Sequence, residues 1–355
     1  MIRVTVVYIV VAVLIFGLLI MIHELGHFSV ARLCGVHINE FSIGMGPKIL
    51  QKKTKKQGTL LSLRLFPIGG YVSMKGEDED EDDEDSFSRK RVWQRILIVV
   101  AGAAMNLLLG FLLVFVIVCT SHGLLASTTI AQFAEGATSC ADGGLEIDDT
   151  VIKVNGTRVH TGEELTYEIM SQGYEPLTLT VLRDGETVVL ENVVFPQFEE
   201  QGSVFGDYDF MVYGIRDPGV GQLLRASWYR SVSLVKMVWD SLANLVTGRY
   251  SVESLSSPIG VTAAVKDTIT DSDWTGAQIL QYVLNITAVI SINLGVFNLL
   301  PFPALDGGRF VFLAVEAIIR RPIPKELEAR IHFIGIVVLL ALMVLVVGKD
   351  VIGLF

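Results

Sequence analysis

The stretch Met21-Ile-His-Glu-Leu-Gly-His-Phe28 closes an uncharged apolar run that begins at Val4. His23 and His27 are four residues apart, so on a helix their imidazoles project from one face, one turn apart, as two ligands of a tetrahedral zinc must. Glu24, beside the first of them, can reach a water at such a metal. In a soluble protein this spacing often marks nothing more than polar surface. Inside or beside a membrane span three ionisable groups are costly, and finding them at ligand spacing points to function.

Composition sets the same frame. Of 355 residues, 51% are hydrophobic and 19% charged, whereas ordinary globular chains carry about 25% charge. Four stretches have the roughly 17 to 20 apolar residues that a bilayer core demands: Val4 to Ile22, Ile96 to Thr120, about Ile279 to Leu300, and Ile331 to Val347. The first is longer than a signal-peptide core and lacks a small-x-small cleavage site, so it reads as a retained span. Residues 31 to 95 hold 12 of the 28 Lys and Arg residues, which makes that loop cytoplasmic. Alternation then places both termini and residues 121 to 278 outside.

The net charge of −10 comes almost entirely from nine consecutive acidic residues, Glu77 to Asp85, a run that reads as a solvated, disordered face. Cys34, Cys119 and Cys140 are odd in number and spread across compartments, so neither a disulfide framework nor a cysteine metal cluster is expected. A nucleic-acid partner is not expected either.

Between the first two spans, Phe41 to Gly76 breaks into short apolar runs bounded by Gly and Pro, the pattern of strands. An open sheet edge cannot face lipid, so this hairpin must lie against protein or line a wet cavity near the metal. Its edge can also template an extended peptide. In the second span, Ala101 to Ala104 would let a neighbouring helix approach closely, and Asn106 reads as interhelical glue or as part of the site, with glue favoured. Further on, strands flank Asn155-Gly156 and Asp184-Gly185, two hairpin-turn pairs, with a helix from Gly162 to Gln172 between them. The Gly144-Leu to Val154-Asn-Gly156 stretch makes this module resemble a bacterial PDZ domain. Residues 196 to 215 read as a linker, and Gln222 to Val246 as an amphipathic helix lying on the outer membrane surface.

The third span leads into Asn298-Leu-Leu-Pro-Phe-Pro-Ala-Leu-Asp-Gly-Gly308. It runs outside to inside like the first, so Asp306 reaches the same inner depth as His23 and His27. Two His and one carboxylate, with a fourth position left to water, is a catalytic zinc set. Together with the hairpin motifs Gly44-Met-Gly-Pro47 and Pro67-Ile-Gly-Gly-Tyr71, the Arg91 to Asn106 stretch and Ser257-Pro-Ile-Gly260, these residues resemble the site-2 protease family of intramembrane zinc metalloproteases, in its bacterial branch with a PDZ domain. Ala103 departs from the family, which usually has proline there.

The resemblance implies a polytopic α-helical membrane protein of about four transmembrane helices, with a membrane-associated β-hairpin and an inserted α+β PDZ domain. Its expected divisions are 1–120, 121–200, 201–277 and 278–355. It implies a Zn2+ cofactor on His23, His27 and Asp306, with Glu24 as the general base. Asn298, Gly69 and Gly70 would contact substrate. The expected partners are the lipid bilayer of the bacterial inner membrane and single-pass membrane protein substrates, such as anti-sigma factors or signal-peptide remnants, cleaved near the cytoplasmic side. The oligomeric state is left open. Two other classes compete. A catalytically inactive membrane adaptor working through its PDZ domain would show a broken motif, and a zinc transporter would show an internal repeat and ligands at midspan. The chain shows neither.

Overall fold

The computed structural model describes residues 2–54, 58–77, 83–120, 125–141, 143–200, 203–215, 217–249, 265, 268–269 and 274–352. The Ser257 to Gly260 motif and residues 78–82 of the acidic run lie outside them. The chain divides into two compact units, residues 1–110 with 256–355, and residues 111–255.

Among the described residues, four helices are long and apolar enough to cross a membrane: Val10–Leu33 within α1 (Ile2–Leu33), α2 (Val92–Thr120), α5 (Gly276–Asn298) and α7 (Lys325–Ile352). The count agrees with the sequence. The first helix runs past the expected Ile22 to Leu33, because nothing in Met21 to Leu33 breaks a helix before Gly35 with its positive φ. Small residues set the spacing of α1 and α2. A Cβ at Gly26 would lie 2.3 Å from the carbonyl oxygen of Ala101, so the two backbones are nearly in contact. Between α2 and α5, the Ser291 hydroxyl donates to the Asn106 carbonyl at 2.8 Å. Asp306 does not end the third span, as expected, but begins a separate helix, α6 (Asp306–Ile319), after a loop from 299 to 305. The two prolines of that loop rule out a continuous helix.

β1 (Ile38–Lys53) and β2 (Leu60–Met74) form the expected hairpin, with Ile38 paired to Met74 and Lys53 to Leu60. Both strands bend, at Gly44 and Gly69, each with φ of 84°, a region that side chains disfavour. Glu40 to Ile43 therefore lie beside Leu60 to Leu63 as well as Ser73 to Gly70.

In the second unit an antiparallel sheet has the order β10-β3-β4-β6-β7, with β5 on β4. Its strands are β3 (Leu125–Phe133), β4 (Thr150–Val154), β5 (Thr157–Arg158), β6 (Leu177–Arg183), β7 (Glu186–Val193) and β10 (Phe210–Ile215). Asn155-Gly156 and Asp184-Gly185 make their turns with positive φ at both residues of each pair, as primed hairpin turns require. The helix α3 spans Gly162–Gln172, and the Thr161 hydroxyl caps it by accepting from Glu164 N–H at 3.2 Å. Ile130, Val154, Leu165, Ile169, Leu177 and Leu179 form a sealed core.

The expected linker is not one. Residues 196 to 215 contain β8 (Gln197–Glu200), β9 (Ser203–Gly206) and β10, and β10 pairs along β3. Its neighbour Asp209 is buried, accepting from the Thr138 and Ser139 N–H groups at 2.7 and 3.0 Å. The helix α4 (Val220–Val246) lays its polar side on α3. Ser233 donates to Glu164 at 2.9 Å, Arg230 pairs with Glu163 at 3.0 Å, and Tyr229 stacks on His160 at 3.8 Å.

Candidate functional site

The sequence motifs meet in the first unit. α1 presents His23 and His27 one turn apart on its buried side, and Asp306, the first residue of α6, comes up between them. Asp306 Oδ2 lies 3.0 Å from His23 Nε2 and 3.3 Å from His27 Nε2, and the two imidazole nitrogens are 3.1 Å apart. Despite those distances, Oδ2 is buried with no hydrogen-bond partner. Three potential ligand atoms thus lie within 4.8 Å of one another.

A buried carboxylate oxygen without a hydrogen bond is expensive, and neither imidazole relieves the cost in this geometry. A cation between the three atoms would. The residues therefore fit a metal, and two nitrogens with one carboxylate oxygen suit zinc with an open position.

The surroundings fix these groups. Nδ1 of His27 donates to the Ile98 carbonyl at 2.8 Å. Because a carbonyl can only accept, the proton sits on Nδ1 and the Nε2 lone pair faces the other two groups. α2 can back the pair only because it carries Gly102. A Cβ there would lie 2.3 Å from His27 Nε2 and 2.7 Å from His23 Cε1. Gly102 was legible only as one of several small residues, and its particular neighbours were not. The loop before Asp306 is strained at Ala304, with φ of 81°, and the Ala304 N–H donates to His332 Nδ1 of α7 at 2.9 Å.

A cavity of about 200 Å³ opens onto the three converging groups, and Glu24, Tyr71, Val72 and Arg309 line it too. Glu24 and Val72 of β2 line the cavity together. A Cβ at Gly70 would sit 3.6 Å from Glu24 Cγ and 2.7 Å from the Ser42 carbonyl, so β2 passes directly beside Glu24. Gly69, the next residue back, contacts Met45 rather than the cavity. Asn298, the last residue of α5, is half-buried and does not line the cavity.

Tyr71 is held by a polar cluster on the hairpin. Arg64 donates to Glu40 at 3.0 Å and to the Tyr71 hydroxyl at 2.5 Å, and Ser62 donates to Glu40. Burial pushes the Glu40 carboxyl up, but hydrogen bonds from Ser62, Arg64, Tyr71 and Lys48 outweigh it and hold the group at about 2.

Two cavity residues escaped the sequence reading. Glu77, counted there with the solvated acidic run, is mostly buried and ion-paired to Arg309, while Lys325 reaches the carbonyls of Gly76 and Glu77 at 3.4 Å each. Asp83 and Asp85, further along the run, both pair with Lys75. Arg309 lies one helical turn beyond Asp306, a spacing that could have flagged it.

Comparison with known proteins agrees with this geometry. The model of peptidase family M50 matches residues 11–342. A Clostridium acetobutylicum protein provisionally named a zinc metalloprotease is 36% identical over 97% of both chains. The zinc metalloprotease RasP of Geobacillus kaustophilus is 28% identical over 96% of both chains. The regulator of sigma-W protease RasP of Bacillus subtilis is 27% identical over 97% of this chain and 98% of its own. A match of this extent leaves one assignment, and the chain belongs to peptidase family M50.

Proposed function

We propose that the chain is an intramembrane zinc endopeptidase that cuts the membrane-spanning segments of single-pass proteins. The observation that carries this reading is the convergence of His23, His27 and Asp306 at a cavity lined by Glu24, with three of the four on a helix long and apolar enough to cross a membrane. When bound, zinc supplies Lewis acidity, which polarises a scissile carbonyl and makes water nucleophilic near neutral pH. His23, His27 and Asp306 hold the ion, and the Ile98 carbonyl keeps His27 in the ligating tautomer.

Glu24 takes a proton from the attacking water as its oxygen bonds to the carbonyl carbon. It then gives that proton to the amide nitrogen as the C–N bond breaks. An α-helix hides its carbonyls in its own hydrogen bonds, so the substrate must unwind before it is cut. An extended substrate laid beside β2 at Gly69 and Gly70 would be held next to Glu24. Asn298 has a part only with a substrate that extends past the cavity to the end of α5.

The second unit serves in this reading as a PDZ-like module outside the inner membrane, extended to about residue 215 by β10. The cavity then lies near the cytoplasmic side. The exposed apolar residues Leu224, Trp228, Val232 and Trp239 on α4 support an interfacial helix. Membrane-bound anti-sigma factors are the proposed substrate class, by likeness to the Bacillus subtilis relative whose name ties it to sigma-W, with signal-peptide remnants beside them.

The test is cleavage of a single-span model substrate by the purified protein, with metal content measured alongside. Glu24→Gln should keep its zinc and lose about 10²- to 10⁴-fold in turnover, and chelation should abolish cleavage. If wild type binds zinc and cuts none of several trimmed substrates, the reading gives way to a membrane adaptor. Orientation is tested separately. Cys140 is exposed and should react with an impermeant thiol reagent added outside intact spheroplasts, whereas protection there would reverse the assigned topology.

A further inference from the structure

His27 has a partner that fixes its tautomer, and His23 needs one as well. The residue nearest its free nitrogen is Asn106 of α2, whose side chain is completely buried. Asn106 Nδ2 lies 3.3 Å from His23 Nδ1, while Asn106 Oδ1 is buried with no hydrogen-bond partner. In that orientation the amide N–H2 donates to Nδ1, which would put the imidazole proton on Nε2, the nitrogen 3.0 Å from Asp306. A ligand atom cannot carry that proton.

A half-turn of the amide about its last torsion exchanges nitrogen and oxygen at nearly unchanged shape. Oδ1 then faces Nδ1, and the imidazole proton moves to Nδ1 to meet it. An N–H2 facing an Nδ1–H would be repulsive, so the tautomer and the amide orientation are locked together. In the first arrangement Oδ1 lacks a partner, and metal at Nε2 selects the second, in which the oxygen is satisfied.

We infer that Asn106 is a positioning residue whose side-chain oxygen accepts from His23 Nδ1–H and holds His23 in its metal-ligating tautomer. The inference rests on the reading of His23, His27 and Asp306 as zinc ligands. Interhelical glue does not account for the side chain, because the bond between α2 and α5 at this position is made by the Asn106 backbone carbonyl, which takes the Ser291 hydroxyl at 2.8 Å. With Ile98 serving His27, α2 supplies the outer partner of both histidines, a main-chain oxygen for one and a side-chain oxygen for the other.

The experiment measures zinc affinity by chelator competition on the full-length protein in detergent. It is read with the Co2+ ligand-field spectrum and with the thermal midpoint of the metal-free protein. Asn106→Leu, similar in size and without an acceptor, should weaken zinc binding about 10- to 100-fold at a metal-free midpoint near wild type. Asn106→Asp, which keeps an acceptor oxygen, should restore affinity to within a few-fold of wild type with a wild-type-like Co2+ spectrum. If Asn106→Leu binds zinc as tightly as wild type, the inference is wrong. It is also wrong if Asn106→Asp folds and binds no better than Asn106→Leu. Should Asn106→Asp fail to fold, the Leu variant decides alone. His27→Ala is the control for the site itself. If it binds zinc as well as wild type does, the ligand assignment falls, and that result is distinct from either failure above.

Discussion

The two units differ in what they hide beside their apolar cores and in what they expose. In the second unit the sealed positions include Ile130, Val154, Leu177 and Leu179, and the few buried carboxylates, such as Asp149 and Asp209, are held by hydrogen bonds from Arg183 and from the Thr138 and Ser139 N–H groups. In the first unit Leu14, Leu18, Leu340 and Leu345 are exposed, while His23, His27, Asn106 and Ser291 are buried. The same chain obeys one rule in two solvents. Where water surrounds the fold, apolar area is what must be hidden. Where lipid does, leucine gains nothing by turning inward, and polar groups collect inside because only there can they find partners.

The polar interior of the first unit should be the more sensitive of the two. Gly102→Val would drive side-chain atoms into both imidazoles and should reduce zinc affinity by at least about 100-fold, more than loss of an outer-shell partner costs, and abolish cleavage. Metal analysis after dialysis checks this, and a variant that kept its zinc would show that α2 can move aside. In the apolar interior of the second unit, Leu179→Ala should lower unfolding stability by about 2 to 5 kcal/mol and leave zinc content untouched. The matched change Leu345→Ala, on an α7 position 69% exposed, should cost less than about 0.5 kcal/mol. Denaturation of both variants in one detergent makes the contrast quantitative, and equal costs would mean that α7 is packed against protein in its working state.

What could be read in advance follows the same division. The four spans and the two tight turns were legible because each depends on local pattern alone, apolar length in one case and an Asn-Gly or Asp-Gly pair in the other. The convergence of His23, His27 and Asp306 at a cavity lined by Glu24 was legible because ligand spacing on a helix and matching depth are both written in the order of residues. Strands β8 to β10 were not, since each is only four to six residues long and β10 is a strand only by pairing with β3, about 80 positions earlier. Glu77 was hidden by its acidic neighbours. Its partner Arg309 lies 232 residues away, and composition offers no sign of so distant a pair. Asn298 was placed by motif, yet the cavity wall beside Glu24 is built by β2 instead.

The loop that presents Asp306 is fastened by Ala304 to His332, a residue of the last helix. The order of synthesis then matters. While the chain is being made, α1 with its two histidines reaches the membrane some 300 residues before His332 leaves the ribosome. Until then the loop that presents Asp306 lacks that fastening.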